Sequence, residues 1–464
     1  SAVSIGGSNS LTISGAISAS SNGIAFVGSG AYTLSNTTNS IPTVATYSTG
    51  ITSLSLNDNV ALTVGSVTVG GTTYSGIKAT GTVTLTQNNS SAGVRVSQAI
   101  DAGNVAIKSS GYITVAVTNA ASAIAINSAG YIYLGGVNGA DNITQTNFYN
   151  GSYTASTGAG SAYANGYLAT GAEAGQYASI MIGYTGPVGS TIQAAGNIVI
   201  GGYNQSTNLG VIVTTDSIIT STGGNVSIYG GSSGANGLQI GWGSQTRATI
   251  SAATGTLFIS GISNTGENVI NGAELTASTI NFTGMSNTTG NNGIRIGANS
   301  GGYNVLTTNN LVLQADIIAF GQSAQSNPNN SNSYNVLWSA QSGNPTLRIE
   351  TYTNNSDGLK FVAYVGNGAS PTTTSLSGFR AMVGTSSTDV FPTLTSTTLS
   401  SLTLGKTTYT SVPIVVAVAQ TVSGPINIYG AAVTVSSALT ATSNTITINA
   451  NGAMTQTAAL SASN

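Results

Sequence analysis

The chain has 464 residues, 61 of them glycine, with no cysteine, no histidine, nine Lys or Arg and eleven Asp or Glu. At 4% charged residues, far below the quarter typical of globular domains, the composition excludes disulfides, the usual zinc sites, Ser-His-Asp triads and Cys-His dyads. Disorder is also excluded, because 40% of residues are hydrophobic, net charge is −2 and mean hydropathy is +0.20.

The first stretch, residues 1–136, alternates with a period of two, the signature of short strands. Its units begin on a turn residue and continue aliphatic, any residue, aliphatic: Gly81-Thr82-Val83-Thr84-Leu85, Gly103-Asn104-Val105-Ala106-Ile107 and Gly130-Tyr131-Ile132-Tyr133-Leu134. A second unit sits between them, as in Gly23-Ile24-Ala25-Phe26 and Gly93-Val94-Arg95-Val96. Its middle residue is expected to point outward.

Residues 137–190 are rich in Gly, Ala and Tyr and poor in alternation, and read as an insertion. Tyr149, Tyr153, Tyr163, Tyr167, Tyr177 and Tyr184 are its candidate contact residues, since tyrosine offers a large amphipathic surface at low entropic cost. Both units return over 191–320, in Gly196-Asn197-Ile198-Val199-Ile200, Gly224-Asn225-Val226-Ser227-Ile228, Gly255-Thr256-Leu257-Phe258-Ile259, Gly237-Leu238-Gln239-Ile240 and Gly293-Ile294-Arg295-Ile296. Residues 321–410 hold four prolines, Trp338 and the densest charges, and read as a second insertion or a small β domain. Residues 411–464 resume the pattern in Gly424-Pro425-Ile426-Asn427-Ile428 and Asn444-Thr445-Ile446-Thr447-Ile448.

Starts of the first unit recur at intervals of 27, 28, 31 and 20 residues. Repeats of that length indicate a stack of coils. Each coil supplies short strands, inward aliphatics form columns, and Gly and Asn accept the left-handed conformations at corners. The predicted fold is an all-β, long parallel β-solenoid. Val105, Ile107, Ile198, Ile200, Val226 and Ile228 are its predicted inward core, with Ser227 outward.

These units, with the tail from Ile446 to Thr457, resemble the filamentous haemagglutinin-like and autotransporter-like β-helical surface proteins of bacteria. The resemblance implies a right-handed parallel β-helix, export, and a role in adhesion, aggregation or an extracellular layer. The chain begins with Ser1 rather than Met, and reads as a mature chain or a piece of a longer one. No segment reaches the ~18 consecutive apolar residues of a membrane helix.

Candidate chemistry is sparse. Arg348, Glu350, Asp357, Lys360 and Arg380 are the nearest approach to a charged site, and read as structural charges. Asp389 and Lys406 belong to the same charge-rich stretch. Glycoside hydrolysis needs paired carboxylates about 5–10 Å apart; beside Glu350 with Asp357, only Glu267 and Glu274 lie close in sequence. Asn57-Asp58-Asn59 reads as a corner ladder rather than a calcium loop, and Thr82-Thr84-Thr86 lacks the repeats an ice-binding array needs. Sequons at Asn36, Asn88, Asn142, Asn150 and Asn287 leave glycosylation open. Nine scattered cations and an isoelectric point near 4.9 argue against nucleic acid.

No catalytic, cofactor-binding or metal residue is expected. The sequence points to an extracellular or cell-surface structural protein whose partners are copies of itself. The alternatives are an adhesin with a β-helical stalk, whose partners would be surface glycans, and a polysaccharide-active enzyme.

Overall fold

The computed structural model describes residues 2–19, 22–47, 50–116, 123–138, 168–170, 177–183, 189–242, 247–286, 293–297, 304–320, 336–353, 356, 360–363, 376–377, 393–394, 399–416 and 419–463. Among the described residues the only regular elements are strands, most of them short, and no helix is long and apolar enough to cross a membrane. The chain divides into two compact units, Ser1–Gly243 with Ala248–Ala252, and Ser244–Arg247 with Ala253–Asn464.

In the first unit a full coil places three strands on three faces. Thr82–Gln87 lies on the first face, Gly93–Val96 on the second and Ile100–Ala102 on the third. The chain then returns to the first face as Asn104–Ser109, one step along and in parallel register, with Val83 opposite Val105 and Leu85 opposite Ile107. The first face continues through Ile132–Gly135, Ile198–Asn204 and Val226–Ser232. The second runs on through Tyr112–Val115, Ala178–Ile182, Leu209–Thr214 and Leu238–Trp242. The chain is a parallel β-solenoid.

The two sequence units are two of these faces: Gly-Asn-Ile-x-Ile segments build the first, and segments such as Gly93-Val94-Arg95-Val96 build the second. The third face has no such signature, because most of its strands turn a single large aliphatic inward. That residue is Ile77, Ile100, Ile126, Ile192, Ile219 and Ile250 in successive coils, each at most 2% exposed. Stacked isoleucines keep one shape from coil to coil, and each contributes about 1.5–3 kcal/mol on burial. The predicted core residues Val105, Ile107, Ile198, Ile200, Val226 and Ile228 are all buried.

Ser227 points outward as expected, yet it is only 8% exposed, and its outward neighbours Ala106, Tyr133, Val199, Tyr203 and Tyr229 are buried as well. These outward side chains of the first face are covered, not solvated.

A second covered patch has a visible cause. Ser66–Val69 and Thr72–Ser75 form an antiparallel hairpin through Gly70-Gly71, both at positive φ, as a tight two-residue turn requires. Its Val67 packs on Ala25 and Ala45 of the second face, flanked by Val69 and Tyr74. Among the units that start at Gly23, Gly93, Gly237 and Gly293, only the first has a non-polar middle residue, Ala25, and it lies under this hairpin.

Corners are made by polar residues whose side chains bond the turn's own backbone. Ser109 accepts from Gly111 N–H at 3.0 Å, Asn204 from Ser206 N–H at 2.9 Å, and Ser232 from Gly234 N–H at 3.3 Å. Each spans two residues, the Asx or Ser/Thr turn geometry.

Within 137–190, Ala169 pairs with Gly202, two positions along the strand from Ile200, the partner of Leu134, while Ala178–Ile182 lies in the second-face ladder. In the second unit, Ala273–Ser286, Asn310–Gln314, Thr346–Glu350, Ser401–Gly405, Ile426–Gly430 and Ile446–Ala450 follow in parallel register. Several strands of 321–410 therefore lie in coil ladders. Trp338, fully buried, stands between Leu306 and Leu394 and donates from its indole N–H to Thr308 O at 3.0 Å. An exception to parallel pairing in this stretch is Lys360 opposite Ser377.

Candidate functional site

Of the six candidate contact tyrosines, Tyr177 is 50% exposed at the entrance to Ala178–Ile182. Tyr149, Tyr153, Tyr163, Tyr167 and Tyr184 lie outside the described residues. Sequence reasoning missed another exposed aromatic, Tyr47, 40% exposed, with its ring 6.0 Å from that of Tyr74 on the hairpin. Nothing local in the sequence joins residues 47 and 74; the register of the second face does.

Several of the described charged residues are joined in small ion pairs. Glu350, 7% exposed, receives Arg348 Nη2 on Oε2 at 2.9 Å and Lys406 Nζ on Oε1 at 3.1 Å. The clasp fastens Thr346–Glu350 to the residue after Ser401–Gly405, one coil on. Beneath it, Tyr409 donates its hydroxyl to Thr351 O at 2.8 Å, and burial raises that phenol's pKa well above the ordinary value. Lys360 opens the strand Lys360–Ala363, and Asp357, Arg380 and Asp389 lie outside the described residues. Glu267 pairs with Arg295 at 3.0 Å, and Glu274 is exposed on its strand.

An outward file of polar residues runs along the third face of the first unit, in the order Lys78, Asp101, Asn127, Gln193, Thr220 and Ser251. Asn127 Nδ2 donates to Asp101 Oδ1 at 2.7 Å. A shallow, open depression lies here, lined by Asp101, Asn127, Ser128 and Gln193 together with two alanines. One carboxylate beside amides and hydroxyls offers hydrogen bonds but no acid–base pair. Among the described residues, no cluster of three or more Asp or Glu is placed to hold a metal.

Asp58 is the polar corner of its coil, as the sequence predicts. Its oxygens accept from Ile41 N–H at 2.9 Å and Val60 N–H at 3.3 Å, and it is fully buried. Burial raises its carboxyl to about 6, against the lowering effect of these N–H groups. Thr82, Thr84 and Thr86 meet Asn104, Ala106 and Lys108 in the next coil, so threonines do not stack. The sequon amides of Asn36 and Asn88 donate to Ser14 O and Asp58 O, fastening one coil to another.

The first and last coils differ from all this. Among the described residues, Val3–Ile5 and Leu11–Ile13 each pair on one side, and Val3 and Leu11 are 37% and 38% exposed. Ile446–Ala450, Met454–Gln456 and Leu460–Ala462 likewise pair on one side, with Met454 47% exposed. Residues 1–55 and 407–464 contain no charged side chain.

No family model, curated protein or solved structure matches the chain.

Proposed function

We propose that this chain is an extracellular structural protein whose β-solenoid subunits associate with one another into a filament, sheath or surface layer. The observation that carries the reading is the lack of charge in the first and last described coils, within residues 1–55 and 407–464. Among the described residues their strands pair on one side, next to partly exposed apolar side chains, so that a further segment or another copy would complete the ladder. Soluble proteins usually blunt such edges with charge, proline or a covering element. A strand of a second copy would complete the ladder by β-augmentation, and a net charge of −2 provides little repulsion between copies. The resemblance to bacterial β-helical surface proteins supports export. The sparse, paired charges support a non-enzymatic role.

Sedimentation velocity over a range of concentrations tests the reading. The wild-type chain should form species larger than a monomer as concentration rises. Replacing exposed Thr12 and Thr455 with lysine should return it toward monomer, since each lies on an edge strand. A wild-type chain that stays monomeric at high concentration, across pH and salt, counts against self-association and favours the adhesin.

A further inference from the structure

Inward corner positions of the first unit are polar in several coils. Ser109, in the same file as Asp58 and Gln87, and Asn204 and Ser232, two residues farther along their strands, fill them with neutral groups that accept from the turn N–H two residues on. Asp58 fills the same role with a carboxyl, and it too accepts from a backbone N–H two residues on, that of Val60. It also holds Ile41 N–H of the preceding coil, so its side chain fastens one coil to the next.

The surroundings of Asp58 are neutral. From the preceding coil it is faced by Asn39, which is fully buried and donates from Nδ2 to Asn57 O at 2.9 Å. From the following coil it is faced by Gln87, also fully buried, whose Oε1 accepts from Ser109 and whose Nε2 has no hydrogen-bond partner. On its own strand and turn are Asn57 and Asn59. The ionisable groups of adjoining strands are directed elsewhere. Tyr32 donates its hydroxyl to Gly7 O, and Arg95 and Lys108 occupy outward positions.

We propose that Asp58 is an acid-stabilised clasp: the coils around it hold more tightly when its carboxyl is protonated, and loosen when it ionises. An ionised carboxylate at this site is removed from water and, among the described residues, faces no cation, only backbone N–H groups whose effect burial outweighs. The neutral acid keeps an acceptor oxygen for the turn, as the neutral side chains at Ser109, Asn204 and Ser232 do.

Linkage fixes the sign of the effect. The folded carboxyl titrates at about 6 and the unfolded one near 3.8, because burial disfavours the charged form. The folded chain therefore binds the proton more tightly, and its stability rises as pH falls through 6 and levels off below 3.8. A shift of about two units corresponds to about a hundredfold in the local opening equilibrium.

Hydrogen exchange of the full chain, read by mass spectrometry and corrected for the intrinsic pH dependence of exchange, tests this. In the wild type, peptides containing Ile41 and Val60 should gain protection between about pH 7.5 and 4.5, by about 25-fold. Asp58→Asn should already be protected at the upper end of that range and show no such gain. Asp58→Ser, which copies the side chain of the corners at Ser109 and Ser232, serves if the asparagine variant folds poorly. Flat wild-type protection over this range overturns the proposal, as does an equal pH-dependent gain in either folded variant.

Discussion

Ser227 and Ile228 are adjacent, point to opposite sides of one strand, and are both buried. Ile228 faces the coil interior, where an aspartate would be an unpaired buried charge; Ile228→Asp should cost roughly 4 kcal/mol or more. Simple alternation makes Ser227→Asp mild. The structure instead predicts a loss of about 2 kcal/mol or more, because Ser227 sits between buried Val199 in the ladder and Tyr229 on its own strand. Urea denaturation of the two variants measures this, and a wild-type midpoint for Ser227→Asp would mean that the outer side is open to water. Glycines give a sharper contrast. A Cβ on Gly111 would lie 1.6 Å from Ala92 O, whereas one on Gly15 would meet nothing within 4 Å. Gly111→Ala should lower stability by about 3 kcal/mol and Gly15→Ala by almost nothing. Neither difference is legible locally, since both glycines precede ordinary residues and only the neighbouring coil separates them.

At the scale of the element, the sequence reveals two faces and hides the third. Val83 with Leu85, or Val94 with Val96, places two aliphatics two positions apart, which a period-two reading detects. Ile77, Ile126 and Ile219 each stand as single inward aliphatics on short strands, and their alignment exists only across coils. The hairpin over Ala25 and the pairing of Ala169 with Gly202 are invisible for the same reason: long-range register determines both. Register can be tested directly, because the chain lacks cysteine. Ser55 and Thr84 are opposite one another in neighbouring coils. Ser55→Cys with Thr84→Cys should cross-link within one chain on oxidation, as neighbouring parallel strands bring Cα atoms within disulfide range. Ser55→Cys with Thr86→Cys, two positions out of register, should not; the reverse pattern would displace the first face by one inward position. The Glu350 clasp makes a further element-level prediction. Glu350→Gln leaves Arg348 and Lys406 without their carboxylate, and should cost about 1–2 kcal/mol, limited by the partial exposure of both cations. A double-mutant cycle with Lys406→Met, monitored by thermal unfolding, measures the coupling.

Across the whole molecule, composition and function meet in the scarcity of charge. Interior columns and corner turns account for the aliphatics and for many of the Ser, Thr and Asn side chains. Described acids such as Glu350 and Glu267 are fastened in ion pairs rather than spread as a repelling surface. The proposed self-association would use the uncharged first and last described coils, with strands such as Leu11–Ile13 and Met454–Gln456. Parallel coils and the inward core were legible in the sequence because they repeat. Candidate contact residues were less so, because exposure at Tyr47 and Tyr177 depends on where the ladder turns. Negative-stain electron microscopy of the purified chain at increasing concentration tests self-association most directly. The account predicts filaments or sheets that disperse when Thr12 and Thr455 are replaced by lysine; isolated particles at every concentration and pH would contradict it.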